Sequence, residues 1–461
     1  MIRICKYNQN SVIEKIRKGK LDAVALSTSS LVDNIILEMN DSKIFDCLKN
    51  NIPDYRAHNT TIPYELIWAS AIAAKMKVQT SLTDIPFALN DYRTLAKLGY
   101  TIIDTDGNLK GGLMQESSLR FLLGKYNAQL FVDGYNNTVQ NGILPLLDII
   151  PNIHILDCTD LEVNYSNTNY EASGISRSKR DEAPTRGYKL ATLRGIVNET
   201  GLIEEIRFGS INIHDLKLSE EMLKTSPMLK PGDILINDRG FLSRELINYL
   251  KIQRGVDTYV PLRQNMEAYT QAVLGAKELN EWQPHPNKKR QNQVITSVAG
   301  MGMYWESSNP KEDIPINSCV VWDKDEDRYF VFITTDTTAS AKDIIMTYEL
   351  RPEIEEDYRQ LKDFWKIEDF KSTKLNVILF HIICVLFGYL FFQLYTLMPE
   401  GEAYLHKSLP IILKNYMPEI QPYVIIYVEY EFGVLTLFEL MDFYAHCPED
   451  VQKLFKNILQ N

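Results

Sequence analysis

Apolar residues in the first 150 positions recur at intervals of three and four, the period that lines one face of a helix. Pro63 to Lys77 (PYELIWASAIAAKMK) joins that spacing to strong helix formers, and Ser81 to Leu98 and Ser117 to Tyr126 read as further helices. Ser11 to Lys20 is polar and basic, and Gly111-Gly112 breaks the run between the later two helices. Near residue 151 the period falls to two. His154 to Asp157 (HILD) reads as a short apolar strand ending in an acid. Tyr188 to Val197 and Leu202 to Phe208 alternate on either side of Asn198-Glu199-Thr200-Gly201, which predicts a hairpin. Residues 215–227 look helical, and Asp233 to Asn237 (DILIN) is a short buried strand running into Asp238. Residues 256–335 read as mostly β, with strands at Thr258 to Leu262, Gln293 to Val298, Cys319 to Trp322 and Tyr329 to Thr334 and a loop at Gln283 to Arg290. Helical pattern returns at Ser340 and continues to Met398, and the last stretch is mixed, ending in a helical Val451 to Leu459.

These elements predict an α/β protein, and 461 residues leave room for two to four domains. Three adjacent strands, a helix and a fourth strand follow the order of an RNase H-like core. Asn376 to Met398 is apolar enough to cross a bilayer, but it contains His381 and Gln393 and reads better as the central helix of a large core. The six cysteines are scattered without a C-x-x-C pair, and the N-terminus lacks a signal-peptide run. A disulfide framework or zinc site is thereby disfavoured, and a reducing cytoplasm is expected. The net charge of -11 argues against a nucleic-acid partner when taken alone, although DNA meets a local surface and not a sum. Between Ser173 and Gly195 six basic residues (Arg177, Lys179, Arg180, Arg186, Lys189, Arg194) face Asp181 and Glu182, a local excess of +4. That stretch is either a DNA-facing patch or a solvated loop. Lys288-Lys289-Arg290 is a weaker patch.

Three carboxylates carry the candidate chemistry. Asp157 and Asp238 end strands that would be neighbours in such a sheet, 81 positions apart in sequence. Glu355 lies in the pattern Y-x(2)-R-x(3)-E-x(6)-K formed by Tyr348, Arg351, Glu355 and Lys362. At about 100° per residue these four positions share one helical face. Pro352 either begins a helix there or kinks one, and a kink would remove Tyr348 from the face of Glu355. Oxygen ligands of this kind suit Mg²⁺, and three acids with a phosphodiester imply two-metal chemistry, the ions about 3.5–4 Å apart. Mn²⁺ is an expected substitute.

The residues LDCT around Asp157, NDRGF around Asp238 and the full Y-R-E-K spacing resemble the DDE transposases of bacterial insertion sequences, in particular the IS-four group. The resemblance covers roughly residues 150–400. It implies that Asp157, Asp238 and Glu355 are the catalytic, metal-binding triad, and that Tyr348, Arg351 and Lys362 contact the backbone of the element's end. Arg186 and Lys189 are added as DNA-binding candidates from the basic stretch. The expected organisation is a helical region at 1–150, read from its residues, that serves DNA-end binding or simple packing, and an RNase H-like core at 151–255. A β-rich insertion at 256–335, the second part of the core at 336–400 and a C-terminal region at 401–461, a candidate for dimerisation, complete it. Expected partners are double-stranded DNA, as terminal inverted repeats and target, and a second copy of the chain; no membrane is expected. The setting would be the bacterial cytoplasm, at the nucleoid. Two other functions share the acids: a nuclease without strand transfer, and a domesticated DNA-binding protein without activity.

Other polar and aromatic residues have plainer readings. Asp160, Glu162, Glu353 and Glu356 read as supporting groups beside the chosen acids. Trp305 and Trp322 read as packing residues, with stacking of a displaced base as the sharper alternative. His214 reads as a helix cap and His381 as a core histidine.

Overall fold

The computed structural model describes residues 5–56, 62–89, 91–100, 115–176, 183–305, 313–415 and 421–459. Gly111-Gly112 and the residues Arg177, Lys179, Arg180, Asp181 and Glu182 of the basic stretch lie outside the described residues. The fold is mixed α/β and divides into two units, one of residues 135–363 and one joining residues 1–134 to residues 364–461.

The first of these units is built on one long mixed sheet. Its strands are β1 (Ile153–Val163), β2 (Gly174–Ile175), β3 (Arg186–Val197), β4 (Thr200–Ser210), β5 (Ile234–Asn237), β6 (Asp257–Pro261), β7 (Gln283–Pro284), β8 (Gln293–Val298), β9 (Asn317–Asp323) and β10 (Arg328–Thr334). The order is β2-β3-β1-β5-β6-β10-β9-β8-β7, with β4 also paired to β3. β1, β5 and β6 run parallel, and the other pairings are antiparallel. The β3–β4 hairpin closes on the Val197–Thr200 pair through Asn198 and Glu199, both at positive φ (47° and 63°). A two-residue loop of that hand matches the twist of the strands it joins, which is why this segment folds locally.

β1 is longer than its apolar start implies. The expected strand ended at Asp157, but the alternating stretch after it keeps pairing with β3 as far as Val163 opposite Arg186. β5 ends at Asn237, because the chain turns at Asp238 into a short 3-10 turn, Arg239–Phe241. From Asp157 onward β1 is therefore flanked by β3 alone.

Beneath this edge lies a buried charged group. A register shift in β4 leaves Glu204 without a partner on β3. His154 pairs with Gly195, and the missing side chain there makes room, since a Cβ on Gly195 would lie 2.5 Å from the Glu204 carboxylate. His154 Nδ1 is 2.8 Å from Glu204 and Nε2 is 3.3 Å from Asp233.

The strands expected as a β-rich insertion at 256–335 continue the same sheet: β6, the first of them, pairs with β5, and β10 pairs with β6. A helix absent from the sequence reading, Glu267–Leu279, covers them. Its buried face is Ala268, Ala272 and Ala276, packed in one core with Trp305, Val320 and Val331. Alanines spaced by four make a weak apolar signal, so the helix is hard to see from sequence. Three further helices matter for the site: α1 (Asp215–Thr225), α2 (Ala341–Tyr348) and α3 (Pro352–Asp363). The His214 ring accepts the Leu216 N–H and caps α1, and Ser340 with Asp343 forms a capping box on α2.

In the other unit the apolar helix Leu375–Thr396 is buried along nearly its whole length. It packs with the equally buried Tyr64–Met76, where Trp68 and Phe380 meet at 5.2 Å between ring centroids. His381 lies within hydrogen-bonding distance of the Lys366 carbonyl at 3.2 Å, and burial, aided by Lys75, pushes its pKa down to about 3. A separate four-stranded sheet pairs Ala23–Ser29 with Gln421–Val428, so strands from both ends of the chain share it.

Burial alone would lower the pKa of His154, but Glu204 and Asp233 outweigh it and hold it up at about 9. Stability from this charge is full below the unfolded value of about 6.5 and is lost as pH rises through about 9. Thermal unfolding of the wild type is expected to weaken across that window. His154→Leu, which leaves two carboxylates buried and unpaired, should be less stable by about 3–5 kcal/mol near neutral pH and should lack the alkaline decline. A wild-type melting temperature that stays level across the window would contradict the charged histidine.

Candidate active site

The parallel pairing of β1 and β5 places the two aspartates. Leu156 is level with Asn237 in that register, so Asp157 and Asp238 are the next residues along, Asp157 within β1 where its pairing with β5 stops and Asp238 just past the end of β5. Asp157 accepts the Cys158 N–H at 2.8 Å on Oδ1 and an Arg351 N–H at 2.9 Å on Oδ2. Asp238 stands at the start of the Arg239–Phe241 turn, half-buried.

The Y-R-E-K residues do not share one helical face. α2 ends at Tyr348, and Pro352 begins α3, so the four positions span a helix–turn–helix corner. Proline is at home in this first position because its missing N–H would have had no partner there. Tyr348 packs its ring on Phe332, centroids 4.7 Å apart, and burial raises the pKa of its phenol. Arg351, at the corner, donates to Asp157 and also to Glu355 Oε1 at 2.6 Å. Glu355 is 57% exposed and Asp157 only 14%. The guanidinium thus separates the two carboxylates, and among the described residues no three acidic, histidine or cysteine side chains converge as a metal-binding group.

α3 is pinned to the sheet by several side chains, of which Tyr358, Asp357 and Thr192 carry no motif in the sequence. The Tyr358 hydroxyl donates to the Asp157 carbonyl at 2.7 Å and lies 2.6 Å from the Thr192 hydroxyl. Buried Arg194 on β3 reaches Asp357 at 2.6 Å and Glu353 at 3.0 Å. Lys362 Nζ donates to the Asp160 carbonyl at 2.5 Å. Ile354, Tyr358 and Leu361 form the buried stripe of α3, and that helical spacing is the signal by which Tyr358 could have been found.

A family model for the transposase DDE domain matches residues 151–391, more than half of the chain. The chain belongs to the transposase DDE domain family. No curated protein matches it. The family is one of enzymes that act on DNA, and the matched range contains Asp157, Asp238, Glu355 and the Y-R-E-K corner.

The other candidates of this DDE domain fall outside that corner. Lys189 donates to Asp215 at 2.5 Å and to the Ile213 carbonyl at 2.9 Å, so its ammonium is already engaged by α1 and the loop before it. Arg186 donates to the Tyr165 carbonyl at 3.1 Å and to Ser173 at 3.3 Å. Trp305 is fully buried and its indole donates to Asn248 at 2.8 Å, a packing role. Trp322 stacks on Tyr329 at 5.9 Å in a partly exposed cluster with Trp282. Beside the corner lies a cavity of about 330 Å³ lined by residues that include His285, Arg290, Phe332, Tyr348 and Arg351.

Burial dominates the titration of Asp157 and raises its pKa, Arg351 and the Cys158 N–H lower it, and Asp238 and Glu355 raise it again, to about 6. Because this lies above the unfolded value of about 3.9, the ionised group costs folding stability above about pH 6, and the cost fades as pH falls towards about 4. Asp157→Asn in a chelating buffer is therefore expected to be more stable than wild type near pH 7.5, by on the order of 2–3 kcal/mol, with the gap closing on acidification. A gap of constant size at all pH values would refute this assignment.

Proposed function

We propose that the chain is an active transposase of the IS-four group, cutting DNA at the ends of an insertion sequence and joining the freed 3′-hydroxyl to target DNA. The observation that carries this reading is the register that brings Asp157 level with Asp238 on adjacent parallel strands, with Glu355 reached from the same site through Arg351. In chain order the first five main strands lie as 3-2-1-4-5, with only the second antiparallel to the rest, which supports an RNase H-like core. Counting β6 with that core, against the expected insertion at 256–335, leaves the strands from 283 to 334 as its insertion.

The donor set fits a hard divalent cation. Asp157, Asp238 and Glu355 offer only carboxylate oxygens, and Asp157 lies in a setting that favours taking up positive charge. These three residues would hold two Mg²⁺ or Mn²⁺ ions, which supply activation of the attacking oxygen and stabilisation of the leaving one. For that, Arg351 must leave the space between Asp157 and Glu355. Its planar fork matches a phosphate as well as a carboxylate, so a DNA backbone gives it somewhere to go. Tyr348 and Lys362 flank the same corner and would complete the grip on the element's end. Two ends must be joined together, which makes a homodimer the working assembly.

The test is cleavage of a labelled duplex carrying the inverted repeat that flanks the gene. Wild type with Mg²⁺ should cut at the repeat boundary, and Asp157→Ala, Asp238→Ala or Glu355→Ala should each lose cutting while keeping end binding. A mutant that cuts normally removes its residue from the triad. Binding without cutting in Mg²⁺ or Mn²⁺ would indicate a domesticated DNA-binding protein, and cutting that ignores the repeat would indicate a general nuclease.

A further inference from the structure

Arg351 faces two different sets of partners. On one side its terminal amino groups donate to Asp157 Oδ2 at 2.9 Å and Glu355 Oε1 at 2.6 Å. On the other, its Nε–H is buried without a hydrogen-bond partner. The same side chain lines the cavity of about 330 Å³ alongside Tyr348, His285 and Arg290. A buried donor left unmade is costly, and an anionic oxygen is the acceptor that would relieve it most. The carboxylate oxygens that Arg351 now occupies are the ones a cation would require.

We propose that Arg351 is an internal counter-ion that competes with metal for Asp157 and Glu355, and that a DNA phosphate, by taking the guanidinium, opens the site to metal. The inference rests on the metal-site reading of the triad. A guanidinium and a divalent ion cannot share the same two carboxylate oxygens, because like charges at contact distance repel. Asp157 and Glu355 are reached by one side chain, set immediately before the start of α3. Asp238 attracts the same guanidinium through space, which adds to its hold. DNA phosphate offers an alternative bidentate partner and can at the same time satisfy the idle Nε–H. The consequence is reciprocal linkage: DNA raises metal affinity, and metal raises affinity for DNA by the same factor. An enzyme built this way stays metal-poor when it has no DNA end to cut.

The experiment is Mn²⁺ titration of the full-length protein, followed by electron paramagnetic resonance of the free ion, with and without the terminal-repeat duplex. Thermal melts establish that each variant is folded. Asp157→Asn should weaken or abolish Mn²⁺ binding, which tests the metal site by itself. Arg351→Gln, free of DNA, should bind Mn²⁺ about tenfold tighter than wild type. Wild type should gain a comparable factor when the duplex is added, and Arg351→Gln should gain none. If Arg351→Gln does not fold, Arg351→Lys, which keeps the charge but loses the fork, should bind Mn²⁺ tighter than wild type by a smaller factor. Equal Mn²⁺ affinity in wild type and the Arg351 variants would overturn the counter-ion while leaving the metal site standing. Absence of any Asp157-dependent Mn²⁺ binding would overturn the metal-site reading, and the counter-ion with it.

Discussion

The parallel pairing of β1 with β5 is the constraint on which the site depends. Side chains alternate along a strand, so a slip of one residue would send Asp157 or Asp238 to the opposite face. The register of Leu156 with Asn237 prevents that, and the early end of β5 opens the space in front of both acids. The register is itself anchored below by His154, whose ring ties β1 to Glu204 on β4 and to Asp233 before β5. One buried histidine thus joins the strands that carry the two aspartates. The third acid comes from elsewhere, on a helix held to the same strands by Tyr358 and Arg194.

Concentrating carboxylates in a half-buried site is expensive, and the chain offsets the expense with its own cations. Arg351, Arg194, Lys189 and Lys362 all point inward at carboxylates or carbonyls of the DDE domain. A net charge of -11 is therefore compatible with a DNA-acting family, because the cations near the site serve the protein first. Whether a basic residue is available to DNA depends on what it would have to give up. Lys189 would give up Asp215 and a carbonyl of the loop before α1, whereas Arg351 would exchange carboxylates for phosphates and gain a partner for its Nε–H.

Sequence made the strands legible where alternation was strong. Gln293–Val298 was found to the residue, and the β3–β4 hairpin was found through its turn chemistry. Asp157 and Asp238 could be chosen because each follows a short apolar run, and their difference of 81 positions is the register offset itself. What sequence did not reveal was the side-chain pairing between distant elements. Tyr358, Arg194 and His154 look ordinary along the chain, and their roles exist only once β1, β3, β4, β5 and α3 are assembled. The Y-R-E-K face failed for a local reason. Periodicity counts residues, and Pro352 resets the count by starting a new helix, so Tyr348 belongs to the helix before it.

The strands β7 to β10 are joined to the site without a linker. A separate module on a linker would hold DNA at a position loosely related to the acids, and each binding event would carry an ordering cost. Here β10 hydrogen-bonds to β6, β6 to β5, and β5 runs into Asp238. Phe332 of β10 packs directly on Tyr348, and β8 and β9 contribute Gln293 and Val321 to the cavity beside Arg351. A ladder of backbone hydrogen bonds therefore connects these strands to the strand that runs into Asp238. Anything gripped by that wall is held at a fixed distance from the carboxylates, which is what cutting a backbone at one defined phosphate requires.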